Sequence, residues 1–414
     1  MPADIEVRAV SPDILAEVLA LEVLPEQRRH IETVQECLDE AKDDARWRPV
    51  ALFAGSALVG FAMYGQFPSW LDASRDTQVW LDRLLIDRRY QGKGYGEQSL
   101  RTLLSRLRTE YGDGHVYLSV YGDNDRAIAL YKRYGFAFTG ALDTKGERVM
   151  RREASPPLGM PTLLEVPDAL ACAKVCAELG LSFVELNMNL PAYQPGGIDE
   201  SHMELARARH GVSFTLHLDE RFDPCDLNPY VREAYLRTAT DAIALAKRHA
   251  MPVVNMHFSP GVYFSLPDRQ VYLYEAYGDP FLESLRRFRG LCEEAVGDSE
   301  ICISVENCDG FPAFVREGIA FLLESPVFGL TLDIGHNYCA NGADETFYAE
   351  HADRVHHLHI HDAAGGKCHL PLGEGTLDIR AALEMARARR ARAVIEVKNL
   401  SGLRRSMEGL HDSL

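Results

Sequence analysis

Residues 301–336 read ICISVENCDGFPAFVREGIAFLLESPVFGLTLDIGH. An apolar run of strand length ends at Glu306, a helical stretch follows, and a second apolar run ends at Asp333. Apolar strands joined by a helix are typical of a parallel sheet that helices cover. The stretch therefore predicts a βα repeat with a carboxylate at the end of each strand.

Further apolar runs of similar length lie on both sides of this repeat. They are Phe183–Asn187, Ser213–His217, Val253–His257, Val355–His361 and Ala393–Val397, with a first strand near residues 158–162. With the two runs quoted above they make eight strands in roughly 255 residues, which is the usual size of a (β/α)8 barrel. We therefore predict a TIM barrel over residues 154–414.

The first 153 residues have a different pattern. Helical and strand-like stretches alternate less regularly there, which predicts a compact α+β domain. Residues 151–161, RREASPPLGMP, are polar and then rich in proline, as in a linker. We predict an α/β chain of two domains, residues 1–153 and 154–414.

The 414 residues carry a formal net charge of -17, which is unevenly placed. Residues 1–153 have 21 Lys and Arg against 24 Asp and Glu, whereas the rest have 23 against 37. So acidic a surface repels phosphate backbones, which argues against nucleic acid as a partner. The sequence offers no apolar stretch long enough for a membrane span and no signal-peptide layout, so we expect a cytoplasmic protein without a membrane partner. Homo-oligomer formation stays open.

Cysteine and histidine point to different chemistry. The nine cysteines include no C-x-x-C pair, so we expect unpaired thiols in a reducing compartment. Thirteen of the 15 histidines lie after residue 200, which is a reason to look for metal or proton chemistry there.

A glycine-rich loop, Gln91–Gly96, lies between a predicted strand and a predicted helix. Glycines at such a junction let backbone N–H groups face an anion, and the helix N-terminus adds its dipole. This arrangement suits a pyrophosphate, and a plain strand-to-helix turn is the alternative, which a Gly-x-Gly without further context would favour.

This loop and residues 119–136, SVYGDNDRAIALYKRYGF, resemble the two motifs of the GCN5-related N-acetyltransferases (GNAT). The resemblance implies acetyl-CoA as the cofactor. It also implies that Tyr131 protonates the departing thiolate, the alternative being a core tyrosine. The residues that would bind the cofactor are Leu85, Ile86, Gln91, Gly92, Lys93, Gly94, Tyr95, Gly96 and Asn124.

Residues 138–150 look like the closing segment of the bacterial polyamine acetyltransferases. Those enzymes carry an acidic run at this place, whereas this chain has Ala141 and Leu142. The departure weakens the polyamine assignment and leaves the amine acceptor open. Asp82 and Glu147 are candidate bases that would act through water, or else solvated surface carboxylates.

In a (β/α)8 barrel the active site lies at the carboxyl ends of the strands. Polar residues end the predicted strands repeatedly, namely Glu185, Asn187, His217, Asn255, His257, Glu306, Asp333, His336, His359, His361 and Glu396. Carboxylates and imidazoles suit Mn2+, Mg2+, Co2+ or Zn2+ rather than a thiolate metal. We predict one divalent metal, held by Glu306, Asp333, His359 and Glu396.

The series VENCDG, LDIGH, HLHIHD and IEV resembles the xylose isomerase-like barrel superfamily of sugar isomerases, ketose epimerases and endonuclease IV. The resemblance implies proton abstraction next to the carbonyl of a keto sugar or cyclitol through an enediolate. Glu306 and Glu396 would then be base and acid, and His336 would hold a substrate oxygen. The substrate-binding candidates are Glu185, His217, His257 and His336, and a hydrogen-bonded wall is the alternative for the first three.

Other functions stay open. Endonuclease IV holds three zinc ions with an Asp-x-His motif, but this chain reads Lys367-Cys368-His369, so we expect no trinuclear site. The same residues suit a dehydratase of the 3-dehydroshikimate or inosose type, because both reactions pass through an enolate. One domain could also be a non-catalytic binding module. We favour a bifunctional enzyme that acetylates an amine and isomerises or epimerises a sugar.

Overall fold

The computed structural model describes residues 5–71, 77–112, 114–153 and 156–413. The chain divides into two compact units, Met1–Ser155 and Pro156–Leu414, and each is described by itself. Within the described ranges, no helix combines the length and the apolar character that crossing a bilayer demands.

The first unit is built on one mixed sheet. Its described strands are β1 (Ile5–Ala9), β2 (Trp47–Ala54), β3 (Ala57–Pro68), β4 (Thr77–Ile86), β5 (Val116–Val120), β6 (Phe136–Leu142) and β7 (Arg148–Arg152). They lie side by side in the order β1-β2-β3-β4-β5-β7-β6. The helices are α1 (Leu15–Leu19), α2 (Val34–Asp43), α3 (Tyr95–Tyr111) and α4 (Asp125–Arg133), with a 3-10 turn at Pro25–Gln27.

Each face of this sheet buries its own apolar layer. On one face α3 contributes Leu100, Leu103 and Leu107, whose spacing places them on one stripe of the helix. On the other face α2 contributes Val34 and Cys37. The sheet is therefore fixed from both sides.

A gap between β4 and β5 positions the first site. The two strands run parallel but pair only over Val79 and Trp80 of β4. The next pairs of β4 with β3 skip Asp82, which is the extra residue of a β-bulge. Because a bulge bends its strand, Arg83–Ile86 continue without pairing to β5, and a cleft opens there.

The second unit is a closed barrel of eight parallel strands, and the predicted fold class is confirmed. The barrel strands are β8 (Leu158–Pro161), β9 (Phe183–Asn187), β10 (Ser213–His217), β11 (Val253–His257), β14 (Cys302–Glu306), β15 (Phe328–Asp333), β16 (Val355–Ile360) and β19 (Arg392–Ile395). Two hairpins extend from the barrel, β12 (Tyr263–Ser265) with β13 (Gln270–Tyr272) and β17 (Asp362–Ala364) with β18 (Lys367–Leu370).

Helices follow the strands in regular order. They are α5 (Ala169–Glu178), α6 (Glu200–His210), α7 (Pro229–Arg248), α8 (Leu273–Ala276), α9 (Gly278–Val296), α10 (Ala313–Leu323), α11 (Ile334–Cys339), α12 (Glu345–Glu350), α13 (Ile379–Arg389) and α14 (Leu400–Ser413). Short 3-10 turns lie at Pro191–Tyr193 and Ala352–Arg354.

The first barrel strand closes the ring between β19 and β9. At Gly159 of β8, an added Cβ would lie 2.5 Å from the ring of Phe183. Glycine is needed there because the backbone of β8 approaches that aromatic side chain so closely.

One cysteine pair departs from the sequence prediction. Cys339 at the end of α11 and Cys368 in β18 form a disulfide, so the expectation of unpaired thiols is wrong for these two. They are 29 residues apart in the chain, and the packing of α11 on the β17–β18 hairpin brings them together. Within the described ranges, the other seven cysteines are not disulfide-bonded, and five of them are buried.

Candidate active sites

The glycine loop of the first unit leads directly into α3. Gly92 and Gly94 have φ angles of +75° and +86°, in the left-handed region that favours glycine. Tyr95 begins the helix. Because the first N–H groups of a helix have no acceptor within it, this end of α3 presents donors to an anion.

A cavity of about 270 Å³ lies in the cleft between β4 and β5. Most predicted cofactor-binding residues line it, namely Leu85, Ile86, Gln91, Gly92, Gly94, Gly96 and Asn124. Two predicted side chains are engaged elsewhere. Lys93 Nζ donates to the carbonyl of Arg89 at 2.9 Å, and Tyr95 packs edge-on against Tyr90. Lys93 and Tyr95 are therefore not among the residues that line the cavity, and their role in cofactor binding stays a prediction.

Two polar side chains at the cavity hold its loops. Gln91 Nε2 donates to the carbonyl of Ile86 at 2.9 Å. Asn124 caps α4, where its Oδ1 accepts the N–H of Ala127 at 3.2 Å. These bonds fix the borders of the cavity.

One part of the same cavity carries Glu32, Asp82, Glu147 and Arg83. The Arg83 guanidinium lies 2.7 Å from Glu32 Oε2 and also donates to Asp82. Burial raises the pKa of Asp82 to about 6 against the attraction of Arg83. Burial also raises the pKa of Glu147, and the charge of Asp143 adds to that rise. A carboxyl group with a raised pKa is a suitable proton acceptor near neutral pH.

Tyr131 of α4 lines this cavity too, and its ring packs against Phe136 with centroids 5.8 Å apart. Burial raises the pKa of Tyr131 to about 12, and the charge of Glu147 acts in the same direction. The phenol is therefore protonated at neutral pH and is able to donate that proton.

The four predicted metal ligands meet at the carboxyl ends of the barrel strands. Glu306, Asp333, His359 and Glu396 each place one ligand atom within 4.8 Å of the others. Nδ1 of His359 lies 2.9 Å from Glu306 Oε1, 3.0 Å from Glu396 Oε2 and 4.0 Å from Asp333 Oδ2. Three carboxylates therefore surround one imidazole nitrogen.

The donor atoms of this cluster fit a divalent cation. Among the described residues, His359 Nδ1 and Glu396 Oε2 are buried without a hydrogen-bond partner. Burial lowers the pKa of His359, but the charges of Glu306 and Glu185 outweigh burial and raise it well above the usual range. Buried carboxylates are costly unless positive charge compensates them. Oxygen and imidazole donors match Mn2+, Mg2+, Co2+ or Zn2+.

Glu185 lies below this cluster, in the middle of β9, and is 2% exposed. Its Oε1 is 2.8 Å from His359 Nε2, a close contact outside the angular range of a hydrogen bond. Its Oε2 accepts from Thr215 at 3.1 Å and lies 3.0 Å from His357 Nε2. Both oxygens of Glu185 thus have protein neighbours, whereas its predicted contact with substrate stays a prediction.

His217 and His257 lie against Glu306. Their Nε2 atoms are 3.1 Å and 3.5 Å from Glu306 Oε2. Nδ1–H of His217 also donates to the carbonyl of Leu218 at 2.6 Å. Burial lowers the pKa of His217, but Glu306 outweighs it and raises the pKa to about 9. His217 therefore supports Glu306 through this contact, while the partly exposed His257 also borders the barrel mouth.

His361 holds Asp333. The backbone N–H of His369 lies 2.8 Å from His361 Nδ1, and Nε2 of the same ring lies 3.0 Å from Asp333 Oδ1. A Cβ at Gly335 would lie 1.9 Å from the His361 ring, so glycine makes room for it. His336, His361 and His369 lie together, but both ring nitrogens of His361 are engaged, which argues against a second metal there. His336 Nε2 is 3.9 Å from Asp333 Oδ2, at the rim of the cluster.

Three neighbours of the ligands were missing from the predicted site, namely Asn255, His361 and Lys398. Asn255 Nδ2 donates to Glu306 Oε2 at 2.5 Å, and Lys398 Nζ donates to Glu396 Oε1 at 2.8 Å. In the sequence, Asn255 and His361 are recognisable only as polar residues at strand ends. This position does not predict that their side chains contact Glu306 and Asp333. No sequence signal distinguishes Lys398 from a surface lysine.

The family model of the xylose isomerase-like TIM barrel matches residues 173–411, more than half of the chain. The chain belongs to this family. A solved D-tagatose 3-epimerase-like protein is 25% identical with a TM-score of 0.50, over 62% of this chain and 96% of that one. The 3-keto-D-glucoside 4-epimerase of E. coli, 15% identical with a TM-score of 0.50 over 62% and 99% of the chains, shares the fold.

The model of the GNAT acetyltransferase family matches residues 15–136. The spermine/spermidine N(1)-acetyltransferase of Bacillus subtilis is 44% identical over 149 residues, which are 36% of this chain and 98% of that protein. Both predicted family resemblances are therefore confirmed, and the chain joins a GNAT acetyltransferase region to a xylose isomerase-like barrel.

Proposed function

We propose that the chain is a bifunctional enzyme. Its first unit would N-acetylate a polyamine-like amine. Its barrel would use a divalent metal to move a proton next to the carbonyl of a keto sugar or cyclitol. The barrel proposal is carried by the convergence of three carboxylates on His359 Nδ1. The acetyltransferase proposal rests on the cavity between β4 and β5.

The acetyl transfer uses groups that line one cavity. The pyrophosphate of acetyl-CoA binds at the N-terminus of α3, and the thioester enters the cleft between the strands. Glu147 takes the proton from the incoming ammonium, directly or through water. The free amine attacks the thioester carbonyl, and Tyr131 gives its phenolic proton to the leaving thiolate. The surplus proton on the attacking nitrogen then passes to the Tyr131 phenolate, which leaves a neutral amide, a thiol and the phenol.

Three observations bear on the acceptor. The Bacillus subtilis relative is named for spermine and spermidine. Glu32, Asp82 and Glu147 supply negative charge beside the cleft, which attracts protonated amines. The acidic run of the polyamine enzymes is replaced by Ala141 and Leu142 at the end of β6. The absence of this acidic run favours a second class of acceptor, namely amines that carry fewer ammonium groups than a polyamine, such as an amino sugar.

In the barrel, the residues that would hold the metal are Glu306, Asp333, His359 and Glu396. A bound divalent ion would polarise the substrate carbonyl and lower the cost of removing the neighbouring C–H proton. The chain's own contacts prepare these ligands, since Glu185 turns His359 and His361 fixes Asp333. At the rim, His336 is the candidate for holding a substrate oxygen.

The test combines metal analysis with an exchange assay on the full-length protein. After reloading with Mn2+, we expect one bound metal per chain and entry of solvent deuterium into a compound from a panel of keto sugars, inososes and 3-dehydroshikimate. His359→Ala should lose both the metal and the exchange while acetyl-CoA binding stays unchanged. Unchanged metal content in this variant would refute the site, and no exchange with any compound would refute the barrel reaction.

A further inference from the structure

All three tryptophans of the chain line one groove of the first unit. This groove, which we call the aromatic groove, has a volume of about 340 Å³. It lies where β2 begins and β3 ends, and α2 and the turn between β6 and β7 border it. Its aromatic side chains are those of Trp47, Phe67, Trp70 and Trp80. The volume is within the range of small-molecule sites, which is about 300–1,000 Å³.

One pair of indoles in the aromatic groove is held in a fixed arrangement. The rings of Trp70 and Trp80 are nearly parallel, at 7°, with centroids 6.1 Å apart. With its amide oxygen turned toward them, Gln78 accepts from Trp70 Nε1 at 2.6 Å and from Trp80 Nε1 at 2.8 Å. Gln78 and Trp80 are buried, whereas Trp70 is 55% exposed. The outer indole therefore offers a flat apolar surface that the buried amide keeps in place.

The polar side chains of the aromatic groove carry both signs of charge. They are the carboxylates of Glu40, Asp82 and Asp143 and the cations of Arg46, Arg83 and Lys145. Arg46 is bound to Asp44, and Arg83 and Lys145 both contact Glu32. The groove thus combines many hydrogen-bond donors and acceptors with opposite charges that largely compensate one another.

The aromatic groove adjoins the cavity between β4 and β5. Asp82 and Arg83 line both of them. Asp82 is also the bulge residue of β4, so the two spaces meet at the point where this strand bends. An acceptor whose amino group reaches the thioester in the cavity would therefore place its remaining atoms in the aromatic groove.

The chemistry of the aromatic groove distinguishes among three classes of acceptor. The further ammonium groups of a polyamine need a surplus of carboxylates, but here the carboxylates have cations beside them. A plain aromatic ring would cover these charged groups without giving them hydrogen bonds, which is unfavourable. A sugar or cyclitol ring has a C–H face that packs on an indole and hydroxyls that donate and accept hydrogen bonds. Only this third class suits both the indoles and the charged side chains.

We propose that the aromatic groove binds the ring of an amino sugar or aminocyclitol, whose amino group is acetylated in the adjoining cavity. This inference rests on the proposed acetyl transfer and selects the second of its two acceptor classes. The transfer forms the N–C bond of an acetamido group and breaks the C–S bond of acetyl-CoA. The proton lost by the amine compensates the one gained by the thiolate, so no further reactant is needed.

Trp70→Ala tests the contact with the ring. The variant should raise the KM for glucosamine about tenfold with kcat and acetyl-CoA affinity little changed, because it removes the exposed indole face. Trp70→Phe should keep part of the affinity. Leu15→Ala removes another exposed apolar side chain of the first unit, on α1, and is the matched control. An unchanged KM in Trp70→Ala would overturn the inference.

Intrinsic fluorescence measures binding without turnover, since all three tryptophans line the aromatic groove. The full-length protein is titrated with glucosamine, scyllo-inosamine, spermidine and phenethylamine, and acetylation of the same amines is followed by release of the CoA thiol. We expect a saturable fluorescence change and acetylation with the first two amines, both weakened in Trp70→Ala.

The other outcomes separate the groove from the acetyl transfer. Preferred binding and acetylation of spermidine or phenethylamine would overturn the inference and leave the proposed transfer standing. A saturable response to glucosamine without acetylation of any amine would support the groove as a sugar site and refute the transfer. Neither binding nor acetylation with any of the four amines would overturn both.

Discussion

Glu185→Gln tests whether the carboxylate below the metal cluster prepares His359. The native carboxylate lies 2.8 Å from His359 Nε2 and 3.0 Å from His357 Nε2. A glutamine of nearly the same size offers one acceptor oxygen and one NH2 group. One of the two imidazole N–H groups would therefore meet a donor, and His359 would lose the charge that turns its Nδ1 toward the cluster.

The expected effect is on metal affinity. Replacing the partner of a metal-binding histidine typically lowers affinity 10–100-fold, and tenfold corresponds to about 1.4 kcal/mol. We therefore expect a loss of about 1.4–2.8 kcal/mol in Mn2+ or Zn2+ binding, measured by competition with a chelating dye. Circular dichroism would establish that the variant is folded.

Thr215→Val is the matched control, because it removes the longest of the three contacts to Glu185, at 3.1 Å, and changes the side-chain shape little. Its metal affinity should stay close to that of the wild type. A folded Glu185→Gln protein with wild-type affinity would refute the orienting role, whereas equal losses in both variants would indicate general damage to the barrel.

Three further outcomes are expected. Gly335→Ala should lower metal affinity, because its Cβ would displace the His361 ring that holds a ligand; Gly290→Ala, with open space around it, should bind metal normally. Acetyl-transfer kcat/KM should fall as pH drops through the raised pKa of Glu147, since a protonated carboxyl cannot take the amine proton. The acid limb of the pH profile should lie above the usual glutamate range and disappear in Glu147→Gln. Tyr131→Phe should slow transfer about 100-fold with CoA affinity nearly kept, and an unaffected rate would remove this acid from the mechanism.

The barrel could be predicted from sequence because its strands are buried on both sides and appear as short apolar runs. The end of a run also marks the end of the barrel at which its side chains gather. This sufficed to propose that Glu306 and Asp333 lie together, and the structure does bring them into one cluster with His359.

The layer of the barrel in which a side chain lies, along the barrel axis, could not be predicted in the same way. Glu185 and Asn187 are two residues apart on β9, so alternation places both on the same side of the sheet. Only the completed barrel shows that Glu185 lies in a lower layer. Contacts made outside the barrel strands were equally hidden, since the disulfide of Cys339 with Cys368 arises from the packing of α11 on the β17–β18 hairpin. The ion pair of Lys398 with Glu396 lies in the segment that follows β19.

A purely structural role for the buried carboxylates of the barrel would be energetically unfavourable. Glu185, Glu306, Asp333 and Glu396 bring four carboxylates into or beside an interior that aliphatic side chains fill at lower cost. The histidines that contact these carboxylates are themselves buried, and His359 contacts more than one of them, so the arrangement adds little net stability. His359 stands at its centre with Nδ1 facing three of these acids. Such a concentration of charge supports our proposal that the cluster binds a divalent cation.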